Sequence, residues 1–546
     1  MTPAVKAACR KQFVTWSAVF PVFYFESKVD SINNSTFVNM PSEMYFNLES
    51  IPATVDEVVV SGLDRTHDSI VKKQFVGLVK SQNLRDLFEN VRVAKEKLVK
   101  LGVFKTIFAV VDVSEDHSKP NAYKITFKVE EKRFVTARMS MTHGTDGITK
   151  ACGNVRLNNF AHRAECADID VEIGSNQMVS KFATISKPLE NNPYVRVSVG
   201  GTEGNWDHYW AKFLRHERSV FTEAQAESSV GLHRFQWDAV WRETEVKDPT
   251  APLGVLKECG PAVKSSLRHV FESDARPDLV FPDAGYLCRI SQEIASITPG
   301  SQTGQSNVSD ISSSDTGSLV DRALQLKLEG LLQKPFRLCD WLVGEVTFSS
   351  GLIHSLTKHP VHISDRFFLG GPLELRGFQW RTVSPSEPLL VPTVQTLHSY
   401  ETILNNNNQQ SLSTPVSTNS PLSPIGADAF WLTGAHLYTP LPYWGAEEGS
   451  LASQLRLHGF FLAGSTLERP IQKLMDSPST CRTVNEFTQY FLNELKGRPR
   501  TVIGMGVVFR FAGILRIELN YCFPMTYQSG DQVKPGFAFG FGMYYM

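Results

Sequence analysis

The sequence has no long apolar stretch and no excess of either charge. Its 55 lysine and arginine residues balance 56 aspartate and glutamate residues, so the formal net charge is -1 and a nucleic-acid partner is not expected. The most apolar window near the start, FVTWSAVFPVFYF at 13–25, contains Pro21 and is shorter than the about 20 residues that a spanning helix requires. If the chain lies in a membrane, it must therefore cross as a closed sheet.

Cysteine is sparse, and the motifs of common enzymes and metal sites are missing. The eight cysteines stand singly, with no CxxC pair and no histidine at zinc-ligand spacing, which favours buried thiols over disulfides or a metal centre. The chain has no GxSxG, HExxH or P-loop motif. The glycines of GFAFGFG at 536–542 alternate with phenylalanine, which is typical of a strand. We expect no catalytic residue, no cofactor and no metal.

Residues 56–131 have the pattern of a small α/β domain. DEVVVSGL predicts a strand, and Thr66 stands where the N-cap of a first helix is expected. Apolar residues recur every three or four positions between Leu84 and Leu101, and Gly102 follows where a helix-ending glycine is expected. Two further strand patterns, TIFAVVDV and YKITFKVE, complete the order β-α-α-β-β.

From residue 134 onward, segments of about ten residues alternate apolar with polar or small side chains. In RIELNYCF, for example, Glu518 lies on the polar face and Leu519 on the apolar face. Such alternation fits either a half-solvated soluble sheet or a membrane barrel with lipid outside and water inside. The absence of a helical layer and the aromatic residues at segment ends favour the barrel.

Three segments fall outside these patterns. Residues 298–318 and 384–426 are polar insertions rich in Ser, Gly, Asn or Pro, and we expect both to be mobile loops. Barrels tolerate long loops because the cost of loop closure grows slowly with length. Residues 1–50 resemble a targeting peptide in their early basic residues but have no small-residue cleavage site, so a poorly ordered arm is expected.

One turn-rich segment, LGGPLELRGF at 369–378, presents a single arginine. Its Gly-Gly-Pro step specifies a sharp turn, so Arg376 lies on a shaped loop. The arginine is either solvated on a hairpin loop or folded back into a water-filled lumen. In the second case it requires an acidic partner, because an unpaired buried charge is costly. Glu518, on the polar face of a late strand, is the candidate partner.

The segment SDRFFLGGPLELRGF at 364–378 resembles the sixth-loop motif of the outer-membrane barrel insertases related to bacterial BamA, which carry LGG and an RGF or RGY core. The residues that carry this resemblance are Leu369, Gly370, Gly371, Pro372, Arg376, Gly377 and Phe378. The small domain, with LVKLGVF at 98–104, looks like the POTRA domain of these proteins. WLTGAHLYTPLPY and RIELNYCFPM are similar to one branch, the fifty-kilodalton core subunit of the mitochondrial sorting and assembly machinery.

This resemblance implies a mainly β fold, with a POTRA domain at 51–131 and a sixteen-stranded transmembrane antiparallel β-barrel at 132–546. The first strand, near 133–142, and the last, near 536–546, would part as a lateral gate that templates precursor barrels. The implied seam residues are Val135, Ala137, Met139, Met141, Gly536, Gly540 and Gly542. Glycine weakens strands, which suits a joint that opens.

The resemblance also implies a location and a set of partners. The location is the mitochondrial outer membrane, which the chain crosses several times. The partners are β-barrel precursors, other subunits of the machinery, the lipid bilayer and a contact-site complex of the inner membrane. The alternative function is a polypeptide-transporting or solute pore of the same barrel superfamily.

Overall fold

The computed structural model leaves several segments of the chain undescribed. The described residues are 49–114, 121–143, 149–174, 178–299, 322–357, 359–390, 421–441, 450–468, 499–511 and 515–542. Nearly all of the predicted arm at 1–50, residues 300–318 of the first insertion and residues 391–420 of the second lie outside them. The described residues up to 134, with 158–166 and 188–194, form one compact unit, and the remainder form a second.

The first unit contains a three-stranded sheet and two α-helices, which confirms the predicted order β-α-α-β-β. Strand order is β1-β3-β2, with β3 parallel to β1 and antiparallel to β2. The elements are β1 (Thr54–Ser61), α1 (Asp68–Lys73), α2 (Leu84–Leu101), β2 (Phe104–Val113) and β3 (Ala122–Glu131). No helix in the described part of the chain is both long and apolar enough to span a bilayer.

The ends of the two helices follow from local residues, with one correction. Helix α2 begins after Asn83, whose side chain accepts a backbone hydrogen bond, and ends at Gly102, which has a left-handed φ of 80° as predicted. The N-cap of α1 is His67, so the prediction of Thr66 was wrong. The Thr66 hydroxyl instead accepts a hydrogen bond of 2.9 Å from Asn159, a tertiary contact that the local pattern does not reveal.

The second unit is built on one antiparallel sheet of sixteen strands. Its strands are β4 (Val135–His143), β5 (Thr149–Asn158), β6 (Cys166–Gly174), β7 (Val179–Pro188), β8 (Val195–His208), β9 (Phe213–Glu227), β10 (Leu232–Val246), β11 (Gly260–Asp274), β12 (Leu287–Pro299), β13 (Ala323–Cys339), β14 (Leu342–Ser355), β17 (Ala429–Pro440), β18 (Leu455–Leu467), β19 (Arg500–Phe511), β20 (Leu515–Thr526) and β21 (Gly536–Gly542). The remaining elements are a short helix α3 (Leu253–Lys257) and a small hairpin of β15 (Ser386–Pro388) and β16 (Leu422–Pro424). Neighbours in the sheet are neighbours in the chain, except that β14 pairs with β17 across this hairpin.

Side chains alternate between an apolar outer face and a polar inner face of the large sheet. Trp237 and Leu519 are 45% and 50% exposed, whereas the adjacent residues Asp238 and Glu518 are 7% and 0% exposed. This alternation is the pattern of a transmembrane barrel with lipid outside and polar groups within. The structure therefore confirms the mainly β fold, and the inner face is called the lumen wall below.

Strands β4 and β21 are the two ends of the large sheet. Among the described residues β4 pairs only with β5, and β21 pairs only with β20, so within these residues the sheet is open between β4 and β21. The β21 register runs from Gly536 opposite Cys522 to Gly542 opposite Arg516, over 7 residues. Strand β13, by comparison, has 17 residues. Strand β21 is therefore the shortest strand of this sheet within the described residues.

Candidate functional site

The connection from β14 to β17 folds back onto the lumen wall. It begins with a 3₁₀ turn at Ile363–Asp365, and residues 363–384 are called the lumen loop. Leu369 and Val383 exchange two backbone hydrogen bonds of 2.9 and 3.0 Å, which closes the loop into a compact lobe. Leu375 and Arg376 at its tip have no solvent exposure.

Three glycines of the predicted motif adopt backbone conformations that other residues rarely tolerate. Gly370, Gly371 and Gly377 have φ values of +110°, +133° and +80°. A Cβ atom at Gly370 would lie 2.5 Å from the carbonyl oxygen of Gln379, and one at Gly377 would lie 2.9 Å from Pro524. The LGG and RGF steps therefore let the loop turn sharply and approach the wall closely.

The structure brings Arg376 and Glu518 together inside the sheet. The Arg376 Nε and Nη2 atoms lie 3.2 and 2.9 Å from Glu518 Oε2, and neither side chain is exposed. The guanidinium also lies 5.0 Å from the centre of the Phe460 ring. Of the two alternatives for the arginine, the loop folded back onto the lumen wall is the one observed.

Glu518 is the centre of a larger polar cluster. Its Oε1 accepts a hydrogen bond from Arg516, which also donates one of 2.9 Å to the Tyr438 hydroxyl. Its Oε2 accepts a further bond of 2.7 Å from Asn520 Nδ2. Two guanidinium groups thus share one carboxylate, and removal of Glu518 would leave two buried positive charges without it.

Two histidines extend this cluster along the lumen wall. The Asn520 amide nitrogen donates a hydrogen bond to Glu518. The amide oxygen of Asn520, Oδ1, therefore accepts a hydrogen bond of 3.1 Å from His458 Nδ1. His458 Nε2 is then the acceptor for His436 Nδ1 at 3.0 Å. The loop anchor is therefore backed by a hydrogen-bonded chain across four neighbouring strands, β17 to β20.

Sequence reasoning did not assign these supporting residues to the site. Arg516, Asn520 and His458 lie on faces that the alternation marks as polar, and this is the only local signal that they carry. Their convergence depends on strand register, since His458 and Glu518 come from strands separated by β19. Periodicity gives the face of a residue but not its neighbour across the sheet.

The lumen loop also contacts the connection that leads into β21. Gln379 N donates to Gln532 O at 2.9 Å, and Lys534 N donates to Gly377 O at 2.8 Å. Within this connection, Asp531 accepts two hydrogen bonds of 2.9 Å from Arg500, the first residue of β19. The loop is thus bonded to both the wall and the turn before the last strand.

The predicted seam residues lie on the two end strands. On β4, all four are exposed, and Met139 reaches 92% exposure. On β21, Gly536 has a left-handed φ of +108°, and a Cβ atom at Gly540 would lie 2.9 Å from Leu373 of the lumen loop. Gly542 pairs with Arg516. Whether these residues open as a gate stays a prediction.

The contacts of this site are of the kind that hold a loop in position. Within the described residues, no three His, Cys, Asp or Glu side chains converge as metal ligands. The arrangement joins a loop to strands through ion pairs and backbone hydrogen bonds, which suits the control of strand geometry.

Comparisons with known proteins agree with this architecture. The sorting and assembly machinery component 50 homolog of Homo sapiens is 28% identical over 500 residues, covering 91% of this chain and 92% of that protein. A SAM50-like protein of Schizosaccharomyces pombe is 23% identical over 550 residues, covering 96% and 97%. These matches confirm the resemblance that the motifs indicated.

The fold comparison leads to the same family. BamA from Haemophilus ducreyi lacking POTRA domains 1–3 superposes with a TM-score of 0.63 at 13% identity, covering 90% of this chain and 85% of that chain. The sequence model of the Omp85 superfamily domain matches residues 212–544, more than half of the chain. This outer-membrane type of β-barrel protein therefore belongs to the Omp85 superfamily.

Proposed function

We propose that this protein inserts and folds β-barrel precursors in the mitochondrial outer membrane, as the core subunit of a sorting and assembly machinery. The relatives named for that machinery match nearly the whole chain. In this proposal, a POTRA domain at 51–131 receives precursors and the barrel at 132–546 inserts them. No covalent bond is made or broken, so the protein needs no catalytic residue or cofactor.

The observation that carries this proposal is the unclosed sheet between β4 and β21. Among the described residues no strand covers the outer edge of either one. In lipid, each unsatisfied backbone group costs several kcal/mol, so an edge exposed there favours any strand that pairs with it. An incoming precursor strand satisfies these groups by β-augmentation, which supplies affinity and direction together.

The lumen loop gives the edge a fixed support. Arg376 binds β20, the only described neighbour of β21, and the backbone of Gly377 binds the connection into β21. An insertase needs an edge strand that can pair with an incoming precursor strand and yet keep its own register in the sheet. A loop that holds the penultimate strand while the last strand exchanges partners meets both needs.

The proposed partners follow from this mechanism. Precursor barrels pair with the edge, the bilayer contacts the apolar outer face, and other subunits of the machinery surround the barrel. A contact-site complex of the inner membrane is a further proposed partner, on family resemblance alone. No feature of the charge distribution calls for nucleic acid.

Depletion of the protein from mitochondria tests the function. Newly imported β-barrel proteins are expected to stall before membrane assembly, while helical outer-membrane proteins insert normally. Normal barrel assembly after depletion, combined with steady ion conductance of the purified protein, would instead favour the alternative of a transport pore.

A further inference from the structure

The lumen loop begins at a second buried ion-pair site, centred on Asp365. Asp365 is 8% exposed, and its Oδ2 accepts a hydrogen bond of 2.8 Å from Arg242 on β10. Its Oδ1 accepts one of 2.9 Å from Lys264 on β11. Burial alone would raise the pKa of Asp365, but the charges of Arg242 and Lys264 hold it well below the usual value of 3.8. Asp365 is therefore an ionised acceptor between two cations.

This site is part of a network on the lumen wall. Lys264 Nζ lies 2.5 Å from Glu293 on β12, and Glu293 accepts a second bond of 2.7 Å from Arg268. Arg242 and Lys264 are only 4% and 8% exposed. Without Asp365, Arg242 would lose its bonded carboxylate, and a buried charge without its partner is costly. The Asp365 contact is consequently a strong constraint on the start of the loop.

The two ion-pair sites of the lumen loop have opposite polarity and lie on distant strands. At Asp365 the loop supplies the acid and the wall the bases, whereas at Arg376 the loop supplies the base and Glu518 the acid. In the order of sixteen strands, β11 and β10 lie seven and eight places from β20. The loop is therefore fixed to two parts of the lumen wall that are seven and eight strands apart, and exchanging its two ends would bring like charges together.

We propose that Asp365 is a positioning residue that, with Arg242 and Lys264, holds the lumen loop across the lumen so that its tip stays seated on β20. This assignment deepens the proposed insertase function, because the seated tip supports the strand beside the open edge. If Asp365 no longer binds Arg242 and Lys264, the start of the loop is no longer fixed, and the loop tip separates from β20 more often. The proposal concerns loop position and can be measured without any insertion assay.

Cys522 provides a native probe of the seated tip. It lies on β20, is fully buried, and packs with Leu369, Leu375 and Phe378 of the lumen loop. A Cβ atom at Gly377 would lie 3.3 Å from Cys522 Cβ. The thiol is therefore covered by the loop, at a place on the wall remote from Asp365.

The test is the rate at which a hydrophilic maleimide labels Cys522 in the full-length, membrane-embedded protein, with the other seven cysteines replaced by serine. Asp365→Asn removes the charge with little change of shape, and we expect labelling to accelerate roughly tenfold. Asp365→Glu should retain most of the protection. Glu518→Gln, which weakens the other end of the loop, is the positive control.

Asp274→Asn is the matched negative control. Asp274 is the last residue of β11, and its carboxylate accepts hydrogen bonds of 2.8 and 2.7 Å from the Arg276 guanidinium and one of 3.1 Å from the Arg276 backbone N–H, all outside the lumen loop. Its substitution should leave Cys522 labelling unchanged. If Asp365→Asn fails to accumulate as a folded barrel, Lys264→Gln serves instead, since Arg242 still binds Asp365 and the loss of protection should be smaller.

The outcomes separate this inference from the proposed function. Wild-type protection of Cys522 in a folded Asp365→Asn barrel overturns the positioning role, even if precursor insertion fails. Faster labelling in Asp365→Asn but not in Asp274→Asn supports the role. If precursor insertion is nevertheless normal in such a variant, the inference about the loop stands and its link to insertion is rejected.

Discussion

Glu518 on β20 stands directly opposite Gly540 on β21 in the sheet register. The residue that anchors the lumen loop is therefore one strand away from the open edge. Because Gly540 lacks a side chain, Pro372 and Leu373 of the loop can approach β21 closely. Glu518, the tip of the lumen loop and β21 are thus in continuous contact. A substitution in any of the three should therefore alter the structure of the open edge.

Replacement of Glu518 by Gln should strongly destabilise the folded barrel. The change leaves Arg376 and Arg516 buried without their shared carboxylate, and loss of one partner of a buried ion pair costs about 3–5 kcal/mol. The unfolding midpoint in denaturant, measured in lipid nanodiscs, should fall accordingly. Glu329→Gln is a control, because Glu329 pairs with Lys327 but is 43% exposed. Equal losses in both variants would contradict the central role of Glu518.

Replacement of Gly377 by Ala should unseat the loop tip. The residue has a left-handed φ of +80°, and the added Cβ would press on Pro524, so a strain of about 1–3 kcal/mol is expected. Assembly of imported precursors should slow, and Cys522 labelling should accelerate. Gly459→Ala on β18 is the matched control, since its Cβ would meet nothing within 4 Å. The prediction is wrong if the two alanine variants behave alike.

Replacement of Asp531 by Asn should loosen the turn before β21. Asp531 and Arg500 form a bidentate pair with side chains 1% and 3% exposed, and such charge-assisted pairs fix geometry as well as adding stability. Hydrogen exchange of the β20 and β21 amides should become faster. Asp248→Asn, which alters a more exposed pair with Lys212, should leave that exchange unchanged. If hydrogen exchange of these amides is unaltered in Asp531→Asn, the turn before β21 does not help to hold the edge strands.

Glu374 should make barrel stability depend on pH near neutrality. It lines a cavity of about 450 Å³ with Arg381, Lys327 and Glu329, and burial raises its pKa to about 7, against the effect of Arg381. A carboxyl group with a raised folded-state pKa adds stability that is full below its unfolded value, near 4.5, and is lost as pH rises through 7. Wild-type unfolding temperature should therefore fall from about pH 5 to about pH 8 more than that of Glu374→Gln. Parallel pH profiles would refute this role of Glu374.

The sequence was informative where chemistry is local. The Gly-Gly-Pro step predicted the turn that presents Arg376, and alternation placed Glu518 on the inner face. It was uninformative where partners depend on register and curvature. Asp365 is separated from Arg242 by 123 residues, and no periodicity could bring the two together. The prediction of Thr66 as an N-cap was wrong for the same reason, because the Thr66 hydroxyl binds Asn159 from another segment of the chain.

The spacing of the two loop anchors along the chain has a consequence for how this protein itself matures. Asp365 binds strands that precede it, whereas Arg376 binds Glu518, 142 residues later. During vectorial synthesis or import, the first anchor can form once residue 365 has emerged, because β10 and β11 precede it, but the second must wait for β20. Contacts of such high sequence separation form slowly. The order of the anchors along the chain therefore allows the start of the loop to be fixed before the last strands are made, whereas Arg376 can bind Glu518 only once β20 is in place.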